Sequence, residues 1–204
     1  MSTPKQAGLC GLVLGGGDSS RMGRDKALIV QAGEAWWARQ QRVLAAAGAG
    51  TIWLSRRPGQ PCPAHAMCIH DMDTDMGPIA GLRAGLSRAP SPHLAVLAAD
   101  MPLLDPGWFE ALLARCENAC GAVFEHQGFL EPLAAVYPST AAEACARAIA
   151  EGRFSLQGLC RGLAAAGALR ILPLPAQLAR HARSINTPGA LKSLEGRQRR
   201  RPGA

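Results

Sequence analysis

The sequence predicts an α/β fold, a single three-layer domain with a mainly parallel sheet. Three observations predict it. Short apolar runs alternate with longer segments of helical pattern. The runs are apolar at successive positions rather than at every second one, as strands buried on both faces require. No internal repeat and no linker divides the 204 residues, a length that suits one domain with a full core. The expected domain is residues 1–195, followed by a basic, disordered tail at 196–204.

The elements follow in order. Leu9 to Leu14 is a buried strand feeding the glycine loop Gly15-Gly16-Gly17. Trp36 to Ala47 is helical in pattern and ends at Gly48. Thr51 to Leu54 is a second strand, closed by Arg57-Pro58-Gly59, and Met67 to Ile69 a third. Ile79 to Leu86 is a helix entered through Gly77-Pro78; proline suits the first helical position, where its missing N–H costs nothing. His93 to Ala99 is the clearest buried strand and runs straight into Asp100-Met101-Pro102. A helix is expected from Pro106 to Cys120. Strands at Ala122 to Glu125 and Glu131 to Tyr137 are joined around Gln127-Gly128. Helices at Ala141 to Ala150 and Leu156 to Ala166, a strand at Leu169 to Leu172 and a short helix at Pro188 to Leu194 complete the chain.

Composition excludes several classes. At 48% hydrophobic and 18% charged the chain is too apolar for a disordered protein. No apolar run reaches the roughly 18 residues of a membrane span, and the polar start, Met1 to Gln6, does not read as a signal peptide, so none is expected. A cytoplasmic protein with no membrane partner is expected. Net charge is +7, but Arg197, Arg199, Arg200 and Arg201 crowd the tail, leaving 7 − 4 = +3 without them. With aromatics at 4%, the body lacks stacking platforms, so no nucleic-acid partner is expected. The seven cysteines are irregularly spaced with no Cys-x-x-Cys pair, which argues against a disulfide framework. Cys116 and Cys120 fall one turn apart on the expected helix, where they read as small apolar side chains rather than metal ligands.

In parallel sheets, ligands bind at the carboxyl ends of the strands. Two unusual segments lie there and should share a crevice. In Gly15–Lys26, consecutive glycines bring backbone N–H groups close to a ligand, allow positive φ, and form an anion-binding concavity. Ser19 and Ser20 add hydroxyls; Arg21 and Lys26 add positive charge. This equips the loop for a triphosphate, although it matches neither the Walker loop nor the dinucleotide fingerprint. In the second segment, Asp100 follows a buried strand directly. Unpaired in the core it would be too costly, so it faces the crevice. A carboxylate opposite a triphosphate implies an intervening cation such as Mg²⁺, which takes one or two carboxylates plus phosphate oxygens. The alternative is an N-cap for the next helix, a role that Pro102 and Pro106 work against by delaying that helix. A third segment, Asp71 to Leu82, places an acid for base or ribose recognition at Asp71 and removes bulk at Gly81. Asp73 and Asp75 read as a solvated acidic loop.

Three motifs stand in one order: Leu14-Gly15-Gly16-Gly17-Asp18-Ser19-Ser20-Arg21-Met22-Gly23-Arg24-Asp25-Lys26, then Gly77-Pro78-Ile79-Ala80-Gly81, then Asp100-Met101-Pro102. Together they resemble the molybdenum cofactor guanylyltransferases, within the nucleotidyltransferases of the sugar-nucleotide pyrophosphorylase (nucleotide-diphospho-sugar transferase) type. Glu131-Pro132-Leu133 with Ala135 and Tyr137, Arg153 with Ser155-Leu156-Gln157, and Ile185-Asn186-Thr187-Pro188 extend the likeness over Leu9 to Leu194.

The resemblance implies an α/β domain with a Rossmann-like nucleotide half. It implies an Mg²⁺-dependent transfer of GMP from GTP to the terminal phosphate of molybdopterin, releasing pyrophosphate. By position, Leu14, Gly15, Gly16 and the adjoining Gly17 line the nucleotide site, Lys26 holds phosphates, Asp71 binds the nucleoside and Asp100 holds the metal. Arg21, Gly23, Gly77, Gly81, Arg153 and Asn186 fall on the pterin or acceptor-phosphate side. Lys26, Arg21 and Asp100 are the expected catalytic residues. Molybdopterin-loading proteins and client molybdoenzymes are the expected protein partners.

The chain departs from the family pattern in three places. Gly15 replaces the usual Ala, a loss of one methyl expected to be harmless. Leu54-Ser55-Arg56-Arg57 stands where an Asn contact is usual, and Ser184 where another Asn is usual. The rival readings are a CTP-dependent molybdopterin cytidylyltransferase, a sugar-1-phosphate nucleotidyltransferase, and a non-catalytic nucleotide- or cofactor-delivery module.

Overall fold

In the computed structural model, residues 8–16, 25–70, 76–117, 119–179, 181–182, 185 and 189 are described. The main sheet is built on β1 (Leu9–Leu14), β4 (Thr51–Arg56), β5 (Cys68–His70) and β6 (His93–Ala98), all parallel. A small antiparallel pair, β2 (Val30–Gln31) and β3 (Glu34–Ala35), stands apart. Beyond β6 lie β9 (Ala134–Pro138), then β7 (Gly121–His126), then β10 (Leu169–Pro173), with β8 (Phe129–Leu130) hairpinned to β7. The order is β10-β7-β9-β6-β1-β4-β5, and β9 is the antiparallel member of that path.

Helices cover both faces, which is why the central strands are apolar at every position. Leu9 and Val13 of β1 pack with α1 (Trp36–Ala46) and α3 (Pro106–Leu113) through Val43, Leu44, Trp108, Phe109 and Leu112. The alternate residues Cys10 and Leu12 pack with α2 (Pro78–Arg88), α4 (Ala141–Ala150) and α5 (Leu156–Ala165) through Ile79, Leu82, Leu86, Cys145 and Leu159. A short α6 (Ala176–Ala179) follows β10. Two successive β1 side chains thus enter two different cores, the period-2 geometry of a strand sandwiched between helix layers. No helix among the described residues is long and apolar enough to cross a membrane.

Three expectations change. The helix from Pro106 stops at Leu113, because Glu117 and Cys120 exchange both backbone hydrogen bonds at 2.9 Å to turn the chain into β7. Cys116 and Cys120 therefore flank a tight bridge instead of sharing a helix face. The strand expected at Glu131–Tyr137 is divided. Phe129–Leu130 pairs with β7 across the Gln127-Gly128 turn, and β9 begins at Ala134. Cys62 and Cys68 form a disulfide. The connection from β4 to β5 folds back until their Cα atoms are 6.0 Å apart, within the range a disulfide spans. A cysteine count cannot reveal that local approach. The helix expected at 188–194, apart from Gly189, and the tail at 196–204 lie outside the described residues.

Candidate active site

Register brings the two predicted segments together. In β1, Leu14 pairs with Ser55 of β4 on one side and Ala98 of β6 on the other. The Leu14 carbonyl accepts the N–H of Ala99, and the Gly15 N–H donates to the Ser55 carbonyl at 3.2 Å. The entry to the glycine loop and the start of Asp100-Met101-Pro102 are therefore neighbours at the carboxyl ends of three parallel strands.

The centre of the site is an ion pair. Lys26 Nζ lies 3.2 Å from Asp100 Oδ2, with the two side chains 21% and 19% exposed. The other carboxylate oxygen, Asp100 Oδ1, is buried and has no hydrogen-bond partner among the described residues. A buried acceptor without a donor is costly, and such an oxygen at a strand end suits a cation that arrives with its ligand. Among the described residues no three His, Cys, Asp or Glu side chains cluster as a ready-made metal cage. That donor set fits Mg²⁺, which commonly completes its shell with substrate phosphate oxygens and water.

Asp100 is not a helix cap. The next helix begins at Pro106, with Asp105 in the N-cap position. Its loop is instead fastened from α1 and from the far end of the chain. Arg39 donates through Nε to the Pro102 carbonyl and through Nη2 to the Leu104 carbonyl. The buried Gln40 donates to the Ala98 carbonyl at 3.4 Å. Burial lowers the Arg39 guanidinium below its ordinary value, with Arg42 adding to the effect. The Asp100 carbonyl accepts the Ile185 N–H at 2.7 Å, and Ile185 packs with Ile29 and Trp36. This seats Ile185 against the loop.

A second ion pair adjoins the first. Asp25 caps the helical turn Lys26–Leu28, accepting the Ala27 N–H at 3.0 Å. It also pairs with Arg56, a fully buried arginine at the end of β4. Sequence reasoning noted Arg56 only as a departure. A charged residue completing an otherwise buried strand was the available signal, since such a charge needs a partner.

The other expected residues are placed as follows. Gly15 has an ordinary φ; its requirement is space, because a Cβ there would come within 2.7 Å of Leu54 Cδ1. The missing methyl is thus part of a close fit. Gly81, buried in α2, lies under the same strand ends: a Cβ would stand 2.5 Å from Ser55 Oγ and 2.9 Å from Leu14 Cδ2. Gly16 continues from Gly15, and the exposed Gly77 opens α2. Arg153 is exposed between α4 and α5 and pairs with Glu151 rather than with the Lys26–Asp100 centre. Nearby, Gln157 grips both backbone groups of Leu130, at 2.7 and 3.2 Å. The buried Tyr137 donates to the Pro132 carbonyl at 2.8 Å, bracing Glu131-Pro132-Leu133. Gly17, Arg21, Gly23, Asp71 and Asn186, with Ser19, Ser20, Asp73, Asp75 and Ser184, lie outside the described residues.

An α/β sheet whose strand ends bring Gly15 and Gly16 beside a lysine and an acid has the arrangement of a protein that handles nucleotide phosphates. A model of the MobA-like NTP transferase domain matches residues 11–170. The chain belongs to this family of nucleotidyltransferases. It is 39% identical over 171 residues to a probable molybdenum cofactor guanylyltransferase of Opitutus terrae, covering 82% of this chain and 85% of that one. It is 33% identical over 193 residues to a probable molybdenum cofactor guanylyltransferase of Mycobacterium avium, covering 91% and 94%. The fold is shared with a molybdopterin-guanine dinucleotide biosynthesis protein A of Archaeoglobus fulgidus, at TM-score 0.72 and 24% identity, covering 94% of this chain and 99% of that one. It is also shared with a 2-C-methyl-D-erythritol 4-phosphate cytidylyltransferase of Thermus thermophilus, at TM-score 0.68 and 17% identity, covering 93% and 98%.

Proposed function

We propose that the chain is an Mg²⁺-dependent guanylyltransferase that moves GMP from GTP to the terminal phosphate of molybdopterin, yielding the guanine dinucleotide form of the cofactor and pyrophosphate. The observation that carries the reading is the Lys26–Asp100 pair with its unpartnered, buried Oδ1. The relatives' names support guanylyl transfer in molybdenum cofactor synthesis.

In this reading Lys26 binds the phosphates of GTP and faces the charge that grows on the departing pyrophosphate. Asp100 holds Lys26 through Oδ2 and offers Oδ1 to Mg²⁺. When bound, the metal neutralises phosphate charge during in-line displacement at the α-phosphorus. The main chain of Gly15 and Gly16, and Gly17 beyond them, approaches the nucleotide. Arg21 adds positive charge, Asp71 engages the nucleoside, and Gly77, Arg153 and Asn186 border the acceptor, while Gly81 packs beneath the strand ends that carry the site. The acceptor is a phosphate monoester, largely ionised near neutral pH, so no strong general base is needed. Positioning and electrostatic stabilisation carry the reaction. The chain works in the cytoplasm in this account, and loading proteins and client molybdoenzymes receive its product.

The test is pyrophosphate release from GTP, Mg²⁺ and molybdopterin, run beside CTP and ATP and without acceptor. Release with GTP that requires both acceptor and Mg²⁺ is expected. Preference for CTP would make the chain a cytidylyltransferase. Tight GTP binding without release would make it a delivery module.

A further inference from the structure

We propose that Arg56 is a positioning residue that clamps both ends of the phosphate loop and, through Asp25, sets Lys26 in place; this rests on the guanylyl-transfer reading above. Arg56 Nη1 donates to the Gly15 carbonyl at 3.1 Å and to Asp25 Oδ1 at 3.3 Å. Its Nη2 donates to Asp25 Oδ2. Gly15 is where the chain enters the loop and Asp25 is where it leaves. One guanidinium therefore joins the two ends across 10 residues of sequence, 25 − 15. Asp25 passes the constraint on, since its Oδ1 also caps the turn that Lys26 begins.

The third anchor lies in the connection from β4 to β5. Arg56 Nε donates to the Pro61 carbonyl at 3.2 Å. Pro61 precedes Cys62, whose disulfide to Cys68 closes that connection at the start of β5. The guanidinium is thus held from a covalently closed loop on one side and reaches the phosphate loop on the other.

A residue kept only for stability would not take this form. A fully buried guanidinium loses its hydration, and well-packed apolar residues often do as well or better in such positions. What apolar packing cannot supply is a planar fork that satisfies a carbonyl and both oxygens of a carboxylate together. Lysine keeps the charge but offers a single point, so it cannot hold Gly15 and Asp25 in one geometry.

The experiment is a double-mutant cycle between Arg56→Lys and Lys26→Ala, read as kcat/KM for GTP and KM for the acceptor, with a thermal melt of each protein. Arg56→Lys is expected to lower kcat/KM for GTP at least tenfold and leave the acceptor KM unchanged. In the Lys26→Ala background it should cost nothing further, because the residue it positions is gone. A merely structural role would lower Tm equally in both backgrounds and cut activity equally in both. Equal losses, or unaltered kinetics in folded Arg56→Lys, would overturn the proposal.

If Arg56→Lys does not fold, Asp25→Asn carries the same cycle, since it keeps an oxygen for the Ala27 N–H. A second readout needs no turnover. Lys5, Lys26 and Lys192 are the only lysines, so ¹³C-methylated lysine spectra isolate the Lys26 signal. Asp25→Asn should displace that signal, and Arg57→Ala, outside the clamp, should not; an unmoved signal in Asp25→Asn refutes the clamp. A wild-type chain that releases no pyrophosphate defeats the guanylyl-transfer reading alone, because the lysine spectrum still reports the clamp.

Discussion

Asp25 and Lys26 are neighbours in the chain, yet their charges serve two different strand ends in opposite ways. Asp25 turns to β4 and meets Arg56, whose side chain is wholly buried and whose nitrogens all find acceptors. Lys26 turns to the end of β6 and meets Asp100, which is partly exposed and keeps one buried oxygen without a partner among the described residues. The first pair is saturated in that no nitrogen of Arg56 and no carboxylate oxygen of Asp25 lacks a partner. The second retains capacity that a ligand or cation can use. In a low-dielectric setting a satisfied network rigidifies, whereas an unsatisfied group is costly until something binds it. The saturated pair therefore reads as scaffold and the unsaturated pair as the working centre, one residue apart.

The strongest way to break this division is Asp100→Ala. It removes both the unpartnered oxygen and the anchor of Lys26. Turnover should fall roughly a thousandfold, at the upper end of what one electrostatic group supplies. The melting temperature should move little, because the loop is separately fastened by Arg39, Gln40 and Ile185. Pyrophosphate release and a thermal melt on the same preparation test both halves. Folded protein that keeps most of its rate would remove Asp100 from the centre.

Lys26→Ala should come next, with kcat/KM for GTP down about a hundredfold. Asp100 would lose a partner yet remain partly solvated, so the protein should fold. Steady-state kinetics over a GTP series decide the order. A larger loss than that of Asp100→Ala would put the essential charge on the lysine and make the carboxylate its holder only.

Gly81→Ala probes the packing under both pairs. Its new Cβ would come within 2.5 Å of Ser55 Oγ and 2.9 Å of Leu14 Cδ2, in the interior of α2. Overpacking of this kind costs about 1–3 kcal/mol, readable as a lower urea midpoint. If stability were unchanged but GTP affinity fell, Gly81 would be a ligand-facing position rather than a packing one.

Much of this architecture was legible in the sequence because period and punctuation carry it. Continuous apolar runs such as Leu94–Ala98 declare strands covered on both faces, and Gly77-Pro78 declares a helix start. The order of the glycine loop and Asp100 at strand ends sufficed to bring them together. Less local features were hidden. Nothing near Arg56 in sequence announces Asp25 as its partner, 31 residues away. Arg39 looks like any polar position on an amphipathic helix until Pro102 lies beneath it. The Cys62–Cys68 bond depends on a fold-back that composition does not encode. The hidden features are all contacts between elements, and they set the geometry in which the residues of the local motifs meet.

Glu131 sharpens the comparison at its smallest scale, as a half-buried carboxylate with neither a saturated partner nor an evident ligand. It opens the turn between β8 and β9. Burial pushes its carboxyl above the ordinary value of 4.5, and His126 pulls it down by less. A carboxyl raised in the folded state binds its proton more tightly there than in the unfolded chain. Folding therefore carries no penalty from this group below about 4.5, where both states are protonated. As pH rises the unfolded chain ionises first, and the penalty grows until the folded carboxyl ionises too. Above that point it is fully present. Glu131→Gln, which cannot ionise, should be more stable than the wild type at pH 7 and indistinguishable from it near pH 4, the smallest of these effects. Urea denaturation of both proteins at the two pH values measures it. A variant less stable at pH 7 would mean that the ionised carboxylate has a stabilising partner, placing Glu131 with the saturated charges after all.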